Sequence, residues 1–115
     1  MFKYVFLLKA GLAGSLQLAE LGPDLLKSQK ARLEGVGGVT VRNAWTVSGA
    51  YDMVMEVDFA DEATCLAAAL AFTADGFHAE TLRAFSDDEL GRARDVIRAL
   101  KSSGRTAADK PQGPR

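Results

Sequence analysis

Cysteine, proline and histidine are scarce in this chain, and positive charge is not in excess. The 115 residues include one cysteine, three prolines and one histidine, with 14 Lys and Arg against 15 Asp and Glu, for a formal net charge of −1. One cysteine cannot form an intrachain disulfide, and nothing indicates an oxidising compartment. Because nucleic-acid binding relies on a basic surface that neutralises phosphates, the charge balance argues against a nucleic-acid partner.

Long hydrophobic runs are also lacking. The apolar run from Tyr4 to Leu8 ends at Lys9, whereas a secretory signal needs about 7–15 apolar residues and a membrane-spanning helix about 20. We therefore interpret this run as a first strand. A cytoplasmic protein with no membrane partner is expected.

What the chain does contain is the composition of one globular domain. Hydrophobic residues make up 48% and charged residues 25%, and a chain of this length buries enough surface to fold without a disulfide or a metal. Gly, Pro, Ser and charged residues dominate after Ser102. We predict a single domain over residues 1–102 and a disordered tail over residues 103–115.

The hydrophobic pattern predicts four strands, over 3–9, 39–47, 51–59 and 77–85. Three helices are predicted: 23–36, one capped by Asp61 and closed at Asp75, and one that begins with the capping-box residues Ser86 and Glu89. Residues 11–22 fit either a helical turn or a loop. The order βαββαβ followed by a C-terminal helix is the ferredoxin-like α+β pattern, with an antiparallel sheet.

Alternation along the strands assigns side chains to faces. In the second strand one set is Val39, Val41, Trp45 and Val47; in the third, Tyr51, Met53, Met55, Val57 and Phe59 oppose Asp52, Val54, Glu56 and Asp58. In the helices the predicted inward residues are Leu25, Leu26, Leu33 and Val36, then Ala63, Leu66, Ala67, Leu70 and Ala71.

The second sheet face mixes apolar and charged residues. Such a face suits a pair of sheets that packs face to face around a partly polar cavity, and the partner we expect is a second copy of the chain. The alternative is an open sheet covered by water.

Two segments carry a resemblance to a known family. The run from Thr46 to Val54 and the run from Glu80 to Ser86 resemble the GYD domain family, and Gly49, Tyr51 and Asp52 match its Gly-Tyr-Asp signature. The resemblance covers roughly residues 2 to 100. It implies a small bacterial or archaeal protein of the dimeric α/β-barrel type, whose biochemical role is not established. Similar builds include cofactor-free oxygenases, small isomerases and ligand-binding modules of regulators, but a shared fold does not establish function.

The signature residues have two interpretations. In the structural one, Gly49 provides the turn conformation, Asp52 bonds the turn backbone and Tyr51 packs on the sheet. In the functional one, Tyr51 and Asp52 mark the mouth of a pocket. Trp45 either lines that pocket or belongs to a core or interface.

His78 is the one histidine of the chain. On one face with Glu80, and near Asp52 or Glu56 across the sheet, it would act as a general base oriented by a carboxylate. The alternatives are a metal ligand, for which no ligand spacing is present, and an interface or surface residue. Arg83 either clamps an anionic ligand or pairs with a carboxylate across the sheet.

Two functional hypotheses follow. The first is a self-associating module that binds a small molecule or another protein through its sheet face; its candidate ligand-binding residues are Trp45, Tyr51, Asp52, His78, Glu80 and Arg83. The second is a small enzyme of the oxygenase or isomerase kind with His78 and Asp52 as catalytic residues. Under either hypothesis we expect no cofactor and no metal.

Overall fold

A computed structural model describes residues 1–109, with side chains through residue 103, and shows a ferredoxin-like α+β fold. Two compact units make up the chain, one over Met1–Ala84 and one that begins at Phe85. The first unit contains a four-stranded antiparallel sheet in the order β2-β3-β1-β4. Its elements are β1 (Phe2–Ala10), α1 (Leu12–Leu21), α2 (Pro23–Glu34), β2 (Val39–Thr46), β3 (Met53–Phe59), α3 (Glu62–Ala74) and β4 (Phe77–Ala84).

The segment that the sequence left undecided is helical and forms α1. It begins where the Gly11 N–H donates a hydrogen bond to the Gly76 carbonyl oxygen at 2.9 Å. A Cβ on Gly14 would lie 2.7 Å from that same oxygen. Only glycine therefore lets α1 lie this close to the turn between α3 and β4.

The predicted helix starts are confirmed. Asp61 caps α3, and its Oδ1 accepts a hydrogen bond from the Thr64 N–H at 2.8 Å, which lowers the pKa of Asp61. In the second unit, the Ser86 N–H donates to Glu89 Oε1 and the Glu89 N–H donates to Ser86 Oγ, at 3.0 and 3.1 Å. These reciprocal bonds are the capping box that the sequence predicts at this helix start.

The core lies between one face of the sheet and helices α2 and α3. It is built mainly from alternate strand residues and from one side of each helix: Phe6, Leu8, Leu25, Leu33, Val39, Val41, Met53, Met55, Val57, Phe59, Cys65, Ala68, Phe72 and Phe77. The Phe6 ring packs against Phe59 and Phe72 with centroids 5.7 Å apart in each case. Four members of the predicted inward set of the third strand are fully buried, namely Met53, Met55, Val57 and Phe59. The fifth was wrong, because Tyr51 lies before β3 and its hydroxyl donates a hydrogen bond to Glu80.

The predicted inward faces of the helices need correction. Leu66 and Leu70 are 62% and 61% exposed, and α3 instead buries Cys65, Ala68 and Phe72. Because α3 is apolar on almost every side, its hydrophobic periodicity could not identify the inward face. In α2, Gln29 is buried beside Leu25 and Leu33. Val36 was also placed inward wrongly, since α2 ends at Glu34 and Val36 is 64% exposed.

A β-bulge in β2 corrects the predicted faces of that strand. The register against β3 shifts between Val41 and Asn43, so that Ala44 pairs with Met55 and Trp45 pairs with Val54. The extra residue reverses the alternation beyond it. Trp45 therefore lies on the face opposite to Val39 and Val41.

The second unit contains α4, which spans Asp87–Asp109. The predicted tail overlaps this helix over residues 103–109, and its residues 110–115 lie outside the described part of the chain. Gly104 costs a helix only about 1 kcal/mol, and the two alanines at 107 and 108 favour continuation.

Candidate functional site on the open sheet face

The site lies on the sheet face that α2 and α3 do not cover, which we call the open face. The strand register identifies its residues. They alternate with core residues along each strand, except at the β2 bulge, where Arg42 and Asn43 are adjacent. They are Lys3, Val5, Leu7 and Lys9 of β1; Thr40, Arg42, Asn43 and Trp45 of β2; Val54, Glu56 and Asp58 of β3; and His78, Glu80, Leu82 and Ala84 of β4.

Apolar side chains form a band across the middle of the open face. Trp45 pairs with Val54, which pairs with Leu7. In the neighbouring row Val5 pairs with Leu82. Trp45 is 49% exposed and Leu82 is 51% exposed, so the outer ends of this band lie open on the surface.

A charged network borders the band on one side. Lys3 Nζ lies 2.9 Å from Glu56 Oε2, and Arg42 Nε lies 2.6 Å from Asp58 Oδ2. Asn43 Nδ2 donates to the other oxygen of Glu56 at 2.9 Å. The bond to Lys3, and then the bond to Asn43, lower the pKa of Glu56, and the bond to Glu56 raises the pKa of Lys3. Both carboxylates are therefore neutralised by cations of their own face.

Polar groups border the band on the other side. The Tyr51 hydroxyl donates a hydrogen bond to Glu80 Oε2 at 2.7 Å, and this bond raises the pKa of Tyr51. His78 is exposed and lies opposite Lys9 in the register. These four side chains offer both donors and acceptors at one end of the open face.

Asp52 has a structural position at the edge of this group. Its Oδ2 accepts a hydrogen bond from the Ala10 N–H at 2.8 Å, and its own N–H donates to the Leu8 carbonyl oxygen at 2.8 Å. Its carbonyl oxygen accepts from the Val47 N–H at 2.9 Å. The turn before it contains Gly49 at φ +121°, a conformation that favours glycine.

The structure does not join His78 to a carboxylate. Among the described side chains, the hydrogen bonds and ion pairs of Asp52 and Glu80 go to Ala10 and Tyr51, and none goes to His78. Within the same part of the chain, no group of three or more His, Cys, Asp or Glu residues could hold a metal ion. The catalytic role of His78 and Asp52 stays a prediction.

Arg83 lies on the other face from the remaining five candidate residues. It pairs with Tyr4 in the register, and its guanidinium carbon lies 5.2 Å from the Phe2 ring centroid and 5.8 Å from that of Tyr4. Its stacked position belongs to the helix-covered side of the sheet. The open face therefore has Trp45 on the edge strand β2 and His78 and Glu80 on the edge strand β4, with Tyr51 bonded to Glu80 and Asp52 at the border.

Sequence reasoning missed a groove on the helix side of the sheet. Its volume is about 980 Å³, and it lies between α1, α2 and the edge strand β2. The sequence did not indicate this groove, because residues 11–22, which form α1 and line it, had no assigned structure. Its lining is Ser15, Leu18, Ala19, Gly22, Pro23, Leu26, Lys27, Lys30, Val41, Arg42, Asn43, Ala44 and Thr46.

A known family model matches most of the chain. The GYD domain matches residues 4–93 of the chain. The chain belongs to the GYD domain family. No curated protein and no solved structure matches it. In this GYD-domain protein the signature residues Gly49 and Asp52 shape and fasten the turn before β3, and Tyr51 reaches Glu80 on the open face.

Two further properties concern the helices and the one cysteine of the GYD-domain protein. No helix in residues 1–109 is both long and apolar enough to cross a bilayer. Cys65 is buried in α3, and burial raises the pKa of its thiol to about 11. A thiol held in its protonated form is a poor nucleophile.

Proposed function

We propose that this GYD-domain protein is a self-associating module in which the open faces of two copies pack together and hold a small molecule at their polar end. The observation that carries the proposal is the apolar band, which is exposed at Trp45 and Leu82 and is bordered on one side by paired charges. A cytoplasmic location is part of the proposal, in keeping with its single cysteine.

The apolar band supplies the driving force for association. Leu82 and Trp45 remain about half exposed on a strand surface where solvent-facing residues are usually polar. Val5, Leu7 and Val54 lie between them in the sheet. A contiguous apolar surface rimmed by polar groups is typical of a protein interface.

The charge arrangement favours a second copy as the partner. In a symmetric dimer the same surface occurs on both sides, so unpaired like charges would repel. Here Glu56 is paired with Lys3, and Asp58 with Arg42, within one copy. Two open faces can therefore approach along this border with the carboxylates of Glu56 and Asp58 compensated, while Glu80, which bonds to Tyr51, lies at the polar end.

The polar end supports the binding part of the proposal. Tyr51, Glu80, His78 and Lys9 would line the space between two copies, beyond the apolar band. Their mixture of donors and acceptors suits a small polar organic molecule. An enzyme is the second candidate function, and it has less support because no described carboxylate orients His78.

The experiment is native mass spectrometry and light scattering on the full chain purified without added ligand, at micromolar concentration. Leu82→Glu places a charge in the apolar band, and Leu66→Glu is the matched control, since Leu66 is similarly exposed but lies on α3. Burial of one leucine is worth about 1.5–3 kcal/mol, so Leu82→Glu should raise the dimer dissociation constant about tenfold or more.

The outcomes separate the two parts of the proposal. A dimer that Leu82→Glu dissociates and Leu66→Glu preserves supports pairing through the open face. A parent protein that is monomeric at these concentrations contradicts it. A reproducible bound mass that His78→Ala and Glu80→Gln each reduce, with the dimer intact, supports the ligand site, and a bound mass that neither variant changes contradicts it.

A further inference from the structure

We propose that the groove between α1, α2 and the edge strand β2 binds a chain-shaped organic anion, such as the carboxylate of a medium-chain fatty acid. The groove has a volume of about 980 Å³, which lies at the upper end of the range of small-molecule sites. All of its lining residues belong to the first unit, Met1–Ala84. It shares only Arg42 and Asn43 with the open face, so this proposal does not rest on the proposed function.

The shape of the groove favours a ligand with an extended chain. Five residues of β2 between Val41 and Thr46 contribute to the lining, which corresponds to a length of about 16 Å at roughly 3.3 Å per residue. The facing side of α2 contributes from Pro23 to Lys30, over about 10 Å at roughly 1.5 Å per residue. An elongated site of this kind fits an extended chain better than a compact ring.

The floor of the groove is apolar. On α1 and α2 the lining residues recur at intervals of three and four, so each helix turns one side toward the groove. The apolar members of the lining are Leu18, Ala19, Pro23, Leu26, Val41 and Ala44. Three of them, Leu18, Leu26 and Ala44, are partly buried against the core. An aliphatic chain in the groove would cover the apolar surface that these side chains still expose to water, and this burial is favourable.

The charged side chains of the lining are all cations, namely Lys27, Lys30 and Arg42. Arg42 is already paired with Asp58, with Nε and Oδ2 2.6 Å apart. Among the described residues, Lys27 and Lys30 form no ion pair. The α2 side of the groove therefore presents two lysines to a ligand without a carboxylate of the protein between them.

The acidic residues of the same helices do not offset these lysines. Glu20 lies on α1, and Asp24 and Glu34 lie on α2, but none of the three lines the groove. Glu34 follows Lys30 by one helical turn, and its Oε2 accepts a hydrogen bond from the Val41 N–H at 3.2 Å. A ligand carboxylate would therefore gain two cations and would displace no existing ion pair.

The apolar floor and the lysines make different contributions to binding. Each buried methylene group of a ligand raises the affinity about fourfold. An exposed ion pair is worth roughly 1.5- to 5-fold. Chain length should therefore set most of the affinity, whereas the lysines should select an anion over a cation of the same length.

Isothermal titration calorimetry of the full chain with dodecanoate at pH 7 tests the proposal. We expect dodecanoate to bind with one site per chain. Octanoate is four methylene groups shorter and should bind at least tenfold more weakly. Dodecyltrimethylammonium has the same chain length and the opposite charge, and it should also bind at least tenfold more weakly. Equal affinities for dodecanoate and dodecyltrimethylammonium, or no binding of dodecanoate, overturn the proposal.

Substitutions of the lysines test the charge contribution. Both side chains are exposed, so the fold should tolerate Lys27→Gln and Lys30→Gln, and each should weaken dodecanoate binding roughly 1.5- to 5-fold. The matched control is Arg32→Gln, which removes the same charge from the same helix. Arg32 pairs with Asp75 and does not line the groove, so this variant should bind dodecanoate as the parent protein does. Equal affinities for all three variants contradict the proposal.

A substitution on α1 tests the apolar floor. Ala19 lines the groove from an exposed position, and Ala19→Glu would place a carboxylate beside the ligand chain. We expect it to weaken dodecanoate binding about tenfold or more. Leu16→Glu is the matched control, because Leu16 is exposed on the same helix but does not line the groove. An Ala19→Glu protein that binds dodecanoate as tightly as the Leu16→Glu protein overturns the proposal.

The variant Leu82→Glu separates this site from the open face. It places a charge in the apolar band, and dodecanoate binding in the groove should survive it. If Leu82→Glu removes the binding while Ala19→Glu retains it, the ligand occupies the open face and the groove proposal is wrong. If the parent protein is a monomer that binds dodecanoate with the expected variant pattern, open-face pairing is wrong and the groove proposal stands.

Discussion

The carboxylate of Asp52 accepts a hydrogen bond from the backbone N–H of Ala10, with Oδ2 and N 2.8 Å apart. This bond fastens the last residue of β1 to the turn that precedes β3. It gives the aspartate of the Gly-Tyr-Asp signature a structural role that does not depend on any ligand.

Replacement of Asp52 by alanine should lower the free energy of unfolding by about 1–3 kcal/mol. The Ala10 N–H would lose a charged acceptor in a partly buried position. Asp52→Asn retains an oxygen acceptor and should lose less. Urea denaturation measures both, with Glu20→Gln as an exposed control; equal losses for the two Asp52 variants would mean that the bond to Ala10 is unimportant.

Trp45 is the one tryptophan of the chain and reports on the open face. Because its side chain is half exposed in one copy, we expect its emission to shift to shorter wavelength and its quenching by acrylamide to fall as protein concentration rises. Leu82→Glu should abolish both changes. If the fluorescence stays constant across the concentration range in which monomers become dimers, the dimer contact lies elsewhere.

Gln29 lies in the core between α2 and the sheet with 4% of its surface exposed. Its Oε1 has no hydrogen-bond partner among the described residues. Gln29→Met keeps the length of the side chain and removes the unsatisfied oxygen, so it should raise the free energy of unfolding by about 1–2 kcal/mol. Thermal denaturation tests this, and a lower melting temperature for Gln29→Met would show that the amide has a partner.

Cys65 should react slowly with thiol reagents in the folded protein. Burial, and to a smaller extent the charge of Glu62, raise the pKa of its thiol to about 11. At pH 8 the thiolate fraction is then about 100-fold below that of an ordinary cysteine. Labelling with a chromogenic disulfide should be at least that much slower in buffer than in urea, and comparable rates would indicate an exposed thiol.

The ion pair of Lys3 and Glu56 should make the free energy of unfolding depend on pH. The pKa of Glu56 is lowered, so its contribution is present above the unfolded-state pKa and is lost as the pH falls through the lower folded-state pKa. The pKa of Lys3 is raised, so its contribution is lost as the pH rises through that higher folded-state pKa.

Comparison of the parent protein with Glu56→Gln isolates this effect. The difference between their free energies of unfolding should be larger at pH 7 than at pH 3, below the ordinary glutamate pKa of about 4.3. It should also be smaller in 1 M salt, since both side chains are partly exposed. A difference that is unchanged between pH 7 and pH 3 would show that the ion pair does not stabilise the fold.

The sequence predicted most of the fold because its signals were local. The alternation from Met53 to Phe59, the Asp61 cap and the capping box of Ser86 and Glu89 each concern neighbours along the chain, and the structure confirms them. In α3, by contrast, the excess of alanine and leucine removes the contrast that marks an inward face, and Leu66 and Leu70 were placed inward wrongly.

The candidate site was harder to predict, because it depends on contacts across the sheet. The bulge between Val41 and Asn43 has no glycine to mark it, yet it decides on which face Trp45 lies. Strict alternation places Arg83 on the face opposite to His78 and Glu80. The bonds that commit Asp52 to Ala10 and Glu80 to Tyr51 join residues far apart in the chain, so no local pattern indicates them.

The edge strand β2 also has features that hinder the addition of another strand to the sheet. Its irregular register breaks the straight row of backbone groups that an incoming strand would need. Glu34 Oε2 accepts a hydrogen bond from the Val41 N–H at 3.2 Å and so occupies one of those groups. These two features hinder the addition of another strand at the β2 edge, and with it amyloid-like polymerisation from that edge.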